Sequence, residues 1–263
     1  MQFLINLHPL WQTIIATSFT FLATGFGSAI IFFVKKFNKD FFDTILSFSA
    51  GIMLAAAFFS LLIPALEMNK QLNMSILIII IGILLGTFLL YFGNKIFDFY
   101  EKKYHKNKIN SYKKSIMLAF SITLHNIPEG LAVGVAFALS KQSLVGSSFI
   151  SSVVLALGIA LQNIPEGLAI SIPFYKEGLS KKNAFLLGTL SGIVEPISAV
   201  LGMLLVTKIK NILPFFLAFA AGAMIYVVIK EIIPESQTNK NNDLMTLFAI
   251  IGFTIMMILS FIA

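Results

Sequence analysis

His125-Asn126-Ile127-Pro128-Glu129-Gly130-Leu131-Ala132 and Gln162-Asn163-Ile164-Pro165-Glu166-Gly167-Leu168-Ala169 are the two stretches that decide how this chain is read. Seven consecutive residues, NIPEGLA, recur 37 positions later. Each copy lies inside an apolar run long enough to cross a bilayer, so each places a carboxylate, a proline and a glycine at membrane depth. Consecutive spans run in opposite directions. The second copy therefore meets the first inverted near the bilayer centre, an arrangement that recurs at the ion sites of transporters.

Helical spacing gives the two blocks their chemistry. His125 and Glu129 are four apart, and Asn126 and Glu129 three apart, so all three share one helical face. Gln162, Asn163 and Glu166 repeat that geometry. One imidazole, three amides and two carboxylates are thereby expected to converge. Pro128 and Pro165 have no N–H for the carbonyls of Leu124 and Leu161, and freed oxygens of this kind are tolerable in lipid where they face a wet or metal-lined cavity. Gly130 and Gly167 allow neighbouring backbones to come close, as small residues do at helix contacts in membranes.

Around these blocks the chain is 57% hydrophobic and 12% charged over 263 residues. Soluble domains carry about 25% charged residues, so this is a membrane protein, all-α and polytopic. At roughly 20 residues per crossing, its length holds eight spans in a single transmembrane domain. Apolar runs place them near 10–33, 42–66, 74–97, 115–139, 147–172, 182–207, 212–234 and 244–262. No Lys or Arg precedes Lys35, so the first run lacks the basic flank of a signal peptide and reads as a mature span. The net charge of +7 comes from 19 Lys and no Arg, which excludes an arginine-lined nucleic-acid or phosphate groove. Cys is absent, so any metal must be held by nitrogen and oxygen.

The lysines set the orientation. Fifteen of the 19 fall on one alternating set of loops: Lys35, Lys36 and Lys39; the seven between Lys95 and Lys114; Lys176, Lys181 and Lys182; and Lys230 and Lys240. Lys70, Lys141, Lys208 and Lys210 fall on the other. The positive-inside rule makes the richer side cytoplasmic and both termini external. The loop over 98–114 is the one substantial linker, and its charge reads as a solvated anchor at the lipid headgroups.

A charge at mid-membrane costs at least about 2.5–3.5 kcal/mol and so marks a functional position. Glu129, Glu166 and Glu195 lie well inside apolar runs. Glu195 sits in Ser191-Gly192-Ile193-Val194-Glu195-Pro196, a further acid beside a proline. Three buried carboxylates need a cation. On the second span Met53, Ala56 and Ser60 form one helical stripe, followed by Pro64 and Glu67. Lys230 is placed to pair with Glu231 at the cytoplasmic boundary. His8 is expected at the interface and His105 in a loop, leaving His125 as the one intramembrane histidine.

The chain resembles the ZIP family of divalent-metal transporters, and within it the bacterial GufA-like subgroup. The resemblance rests on HNIPEGLAVGVAF from His125, QNIPEGLAISIPF from Gln162, KEGLSKKNAFLLGTLSGIVEPISAV from Lys176 and SAGIMLAAAFFSLLIPALE from Ser49, and it covers essentially the whole chain. It implies eight spans in a 3+2+3 inverted-repeat bundle, a homodimer in the bacterial inner membrane, and movement of spans 1, 4, 5 and 6 against spans 2, 3, 7 and 8. It also implies uptake of Zn2+ into the cytoplasm as transported substrate rather than as cofactor. One metal would be held by His125, Glu129, Gln162, Glu166 and Glu195, and a second by Asn126 and Asn163, with Glu129 and Glu166 bridging. Met53, Ala56 and Ser60 match pathway positions, Glu67 lies toward the outer mouth and Glu231 toward the inner exit.

Two departures stand out. Asn163 replaces the Asp of other members, removing one negative charge from the second metal position. The 98–114 loop carries a single His where many relatives have a His-rich loop. The donor set of imidazole, amides and carboxylates suits Zn, Fe(II), Mn, Co or Cd and disfavours Cu(I). Rival readings fit less well. An intramembrane metalloprotease would carry HExxH, and neither that nor GxSxG is present. A metal-sensing membrane protein has no need of an inverted duplicate, and a solute carrier coupled to protons or sodium has no need of three carboxylates with a His.

Overall fold

The computed structural model describes residues 2–33, 38–104, 113–140, 148–208, 212–238 and 241–262. Among them the secondary structure is helical throughout. Twelve α-helices, α1–α12, are described: Gln2–Asn6, Pro9–Ala29, Lys39–Ala55, Ile63–Gln71, Leu77–Tyr104, Lys113–Leu139, Phe149–Lys176, Lys181–Ser191, Val194–Lys208, Leu213–Val227, Ile233–Ser236 and Asn242–Ile262. Several combine into longer columns. Seven stretches are long and apolar enough to cross a membrane: Pro9–Phe32, Lys39–Gln71, Leu77–Ile96, Phe149–Lys176, Lys181–Val206, Leu213–Ser236 and Asn242–Ile262. Within α6, a 27-residue helix, the shorter apolar stretch is Asn126–Leu139.

Helix starts follow local chemistry. Asn38, Ser148 and Ser180 cap α3, α7 and α8, accepting from the amides of Phe41, Ser151 and Asn183 at 3.2, 2.8 and 3.2 Å, as short polar residues do at N-caps. His8 caps α2 ahead of Pro9, its Nδ1 accepting from the Leu10 amide at 3.2 Å. Two boundaries differ from expectation. Helix α5 runs on to Tyr104, through the first part of the expected 98–114 loop; 105–112, with His105, lie outside the described residues.

The sixth apolar run is broken where the sequence reads as continuous. Pro196 has no N–H to offer the carbonyl of Gly192, and three i to i−3 bonds take over: Gly192 to Thr189, Ile193 to Leu190 and Glu195 to Gly192, at 3.1–3.2 Å. Helix α8 ends there and α9 begins, with Glu195 in its first turn. Elsewhere the chain widens instead of breaking. A π-helical segment, Ala56–Leu62, joins α3 to α4, and Val228–Ile232 joins α10 to α11. Pro64 and Pro234 follow two residues after each. Ile63 and Ile233 reach back five residues, to the carbonyls of Phe58 and Val228, which makes room for a ring that would collide with the carbonyl four residues back.

The helices pack in two groups of four columns. In one, α2 lies along α7 and α6 along α9; in the other, α5 lies along α10 and α3 along α12. Glycines set these contacts at main-chain distance. A Cβ on Gly167 would run into the Thr24 carbonyl, and one on Gly130 into the Glu195 carbonyl. In the second group, Gly51 and Gly252 face the backbones of Ala249 and Phe48, and Gly86 and Gly222 those of Phe219 and Ile83. Two apolar clusters fill the interior. Along α7, one contains Leu155 and Ile159 and the other Leu168, Ile170 and Phe174. The stretch from Gln162 to Glu166 lies between them, a polar layer with oil on either side.

Candidate metal centre

Three helices deliver the polar layer. Helix α6 contributes Asn126 and Glu129, α7 contributes Gln162, Asn163 and Glu166, and α9 contributes Glu195; every one is at most 1% exposed. His125 stands on α6 one residue before Asn126, and its side chain lies outside the described residues. Gln162 Nε2 donates to Glu129 Oε1, tying α7 to α6. Asn163 Nδ2 donates to both oxygens of Glu195, at 2.9 and 3.0 Å, tying α7 to α9. Asn126 Nδ2 donates to the Ser191 carbonyl at 3.1 Å, where α8 ends.

Each amide thus spends its N–H2 on the protein and keeps its oxygen back. Asn126 Oδ1, Gln162 Oε1, Asn163 Oδ1 and Glu129 Oε2 are buried without a hydrogen-bond partner. A buried acceptor left unmade costs about 1–3 kcal/mol, and four such oxygens lie on these two neighbouring helices. Oxygens of this kind are ligands for a hard or borderline divalent cation. Among the described residues, no three His, Asp or Glu side chains are grouped closely enough to hold a metal by themselves. The buried amide oxygens lie on the same two helices as Glu129 and Glu166, at the spacing of the two blocks.

The expected pathway residues fall on either side of this layer. Met53 and Ala56 are fully buried, Met53 in the cluster with Leu168 and Ala56 in the cluster with Leu155. They bracket the polar level from the α3 side. Ser60, inside the π-helical segment, shares a 3.1 Å hydrogen bond with Ser260 of α12. With Pro64, Glu67, Ser152 and Ser260 it lines a cavity of about 190 Å³. At the opposite end Glu231 Oε1 accepts from Asn94 Nδ2 at 3.0 Å, a partner on α5 that the sequence does not single out.

Sequence reasoning misses two features. Helix α2 buries Gln12, Thr13, Thr17, Thr20, Thr24, Gly27 and Ser28 and nothing apolar; Trp11, Ile15, Phe19, Leu22 and Phe26 are exposed, on its lipid side. Thr20 Oγ1 donates to Glu195 Oε2 at 2.6 Å, which makes α2 a fourth wall of the centre. Its signal is legible, since Thr13, Thr17, Thr20, Thr24 and Ser28 recur at helical spacing. Asp43 is the second: it lies just inside the second apolar run, fully buried, and accepts from Lys39 Nζ at 2.6 Å. Lys39 Nζ also donates to Thr238 Oγ1 at 2.8 Å, linking the start of α3 to the chain just past α11.

A helical bundle that crosses a bilayer and holds acids and amides in a dry layer between two apolar clusters is a membrane protein built to handle cations. The chain belongs to the ZIP zinc transporter family, a family of transporters rather than enzymes. Residues 100–260 match the family described as "ZIP Zinc transporter". Zinc transporter ZIP11 of Xenopus tropicalis is 34% identical over 95% of this chain and 96% of its own length. Zinc transporter ZupT of Clostridium perfringens is 31% identical over 95% of each chain, and zinc transporter GufA of Myxococcus xanthus is 33% identical over 81% of this chain and 84% of its own.

Proposed function

We propose that this protein carries Zn2+, and with it Fe2+, Mn2+, Co2+ and Cd2+, into the cytoplasm through a centre formed by His125, Asn126, Glu129, Gln162, Asn163, Glu166 and Glu195. The observation that carries the reading is the set of partnerless buried oxygens on Asn126, Glu129, Gln162 and Asn163 beside three acids. A divalent ion supplies the positive charge that makes such a layer stable in lipid. The carboxylates offer up to three negative charges against two from one metal, which leaves room for a second ion bridged by Glu129 and Glu166. Asn163 makes that second position the weaker of the two.

In this reading the chain forms one domain of eight spans, with α6 as the fourth. Both termini are outside and the Lys-rich 98–114 stretch lies on the cytoplasmic face. The ion sheds water stepwise past Glu67 and Ser60 and along Met53 and Ala56 into the centre. After the protein changes conformation, Glu231 draws it toward the cytoplasm. The two groups of helices supply the moving parts. Within each group, glycines bring main chain against main chain. Between the groups, a Cβ on Gly158 would meet the Met256 thioether, and one on Gly93 the Leu124 methyl, both pliable side-chain ends. Spans 1, 4, 5 and 6 therefore travel as a unit past spans 2, 3, 7 and 8, in a homodimer of the bacterial inner membrane.

Uptake of radioactive Zn2+ and Cd2+ into proteoliposomes holding the purified protein tests this reading. Glu166→Ala and His125→Ala are expected to abolish uptake while the protein stays folded in detergent. Uptake equal to wild type in both variants would overturn the assigned centre.

A further inference from the structure

We propose that Thr20 is a positioning residue of the metal centre: its hydroxyl holds the Glu195 carboxylate while no metal is bound and releases it to the arriving divalent cation. The inference rests on the centre proposed above and adds a residue from α2, which that reading leaves out.

Four threonines line the buried face of α2, and their roles differ. Thr17 Oγ1 donates back to the Thr13 carbonyl at 2.8 Å, and Thr24 Oγ1 to the Thr20 carbonyl at 3.3 Å. Thr20 Oγ1 has two acceptors in reach, the Thr17 carbonyl at 3.0 Å and Glu195 Oε2 at 2.6 Å. A hydroxyl carries one hydrogen, so it serves one of them at a time. The shorter contact is the one to Glu195. Asn163 closes the arrangement, since its Nδ2 donates to the Thr20 carbonyl at 3.1 Å as well as to both Glu195 oxygens. Thr20, Asn163 and Glu195 thus form a three-membered ring across α2, α7 and α9, all fully buried.

Such a ring gives the buried acid a stand-in for the cation. A metal that took up Glu195 would leave the Thr20 hydrogen the Thr17 carbonyl, already 3.0 Å away, with no change in the helix. When the metal leaves, the hydrogen turns back. The bond is a competitor to metal binding and a support for the empty carrier, so removing it has opposite effects on affinity and turnover. Thr20→Val keeps the shape and deletes the hydroxyl. The expected result is a fall of roughly three- to tenfold in the Zn2+ concentration for half-maximal uptake, the worth of one hydrogen bond. A comparable fall in maximal rate should accompany it, because the empty carrier returns with its acid poorly satisfied.

The test is zinc uptake into proteoliposomes across a concentration series, together with calorimetric Zn2+ titration of the purified protein. Wild type is compared with Thr20→Val, Thr20→Ala and Thr20→Ser, with Glu129→Ala and Glu166→Ala as references. Tighter binding and slower turnover in Thr20→Val, reproduced by Thr20→Ala and reversed by Thr20→Ser, support the role. Thr20→Ala gives the same comparison if Thr20→Val does not fold. An unchanged half-saturation in both hydroxyl-free variants, or a Thr20→Ser that behaves like them, overturns it. Loss of uptake in the two reference variants beside a wild-type Thr20→Val curve removes the Thr20 role alone. Wild-type uptake in the references removes the centre and this proposal with it.

Discussion

Helices α2 and α10 both cross the bundle, and they solve the problem of burial in opposite ways. The buried face of α2 is polar throughout, with four threonines, a glutamine and a serine. That of α10 is Leu213, Pro214, Leu217, four alanines, Gly222, Met224 and Val227. Each belongs to a different group of four columns, and the contrast extends to the groups. The α2–α6–α7–α9 group keeps its acids and amides at mid-depth. In the other, the described buried acid is Asp43, at the start of α3 and already paired with Lys39. Polarity at mid-membrane is expensive, and among the described residues it is concentrated in the group that holds the proposed centre.

The contrast can be broken most severely through the acids. Glu129→Ala and Glu166→Ala are each expected to lower zinc uptake at least about a hundredfold, since one carboxylate partner to a metal is worth several kcal/mol in a buried site. Met224→Leu, equally buried in α10, should leave uptake within about twofold, because volume-conserving apolar exchanges cost little. Equal losses at both positions would show that the two groups share the chemistry. Packing comes next. Gly134→Ala drives a methyl into the Ala199 carbonyl and is expected to cost about 1–3 kcal/mol, read as a lower melting temperature in detergent. Gly158→Ala meets only the Met256 thioether, at 2.6 Å; its melting temperature should hold while its uptake rate falls. A smaller effect is expected at Lys39→Ala, which removes the ion pair to the buried Asp43 but leaves it the nearby charge of Lys176; with Lys39 half exposed, about 1 kcal/mol is the expected scale. Ser260→Ala is the mildest, at about 1 kcal/mol or less for one hydrogen bond, with uptake kept.

How much of this is legible in the chain itself depends on the kind of signal. The duplicated NIPEGLA blocks announce the buried acids and amides of α6 and α7 because acid and amide spacing at three and four residues is a local property. The same is true of the glycines that follow each Glu. Glu195 is legible as a buried acid, but not the break that presents it in the first turn of α9. The reason is that a proline in an apolar run can kink a helix, widen it or end it, and neighbours decide which. Pro196 ends one, Pro64 and Pro234 widen theirs, and Pro128 and Pro165 sit within continuous helices. Thr20 escapes notice because threonine is unremarkable in a membrane helix, where its hydroxyl usually returns to its own backbone. Only a contact spanning 175 residues separates it from Thr17. Asp43 lies at the edge of an apolar run, where a charge looks solvated until packing covers it.

The threonine-rich face of α2 has a consequence for how the molecule is made. Its partners α7 and α9 are synthesised more than a hundred residues later, so the first helix must enter the bilayer before anything exists to receive its polar side. Asparagine or glutamine at position 17, 20 or 24 would sit in hydrocarbon with its hydrogen-bonding capacity unused. Thr17, Thr20 and Thr24 each have a carbonyl of their own helix three or four residues back to bond. The newborn segment leaves the ribosome carrying its own solvation, and Thr20 trades that provisional bond for a carboxylate only once assembly brings one within reach.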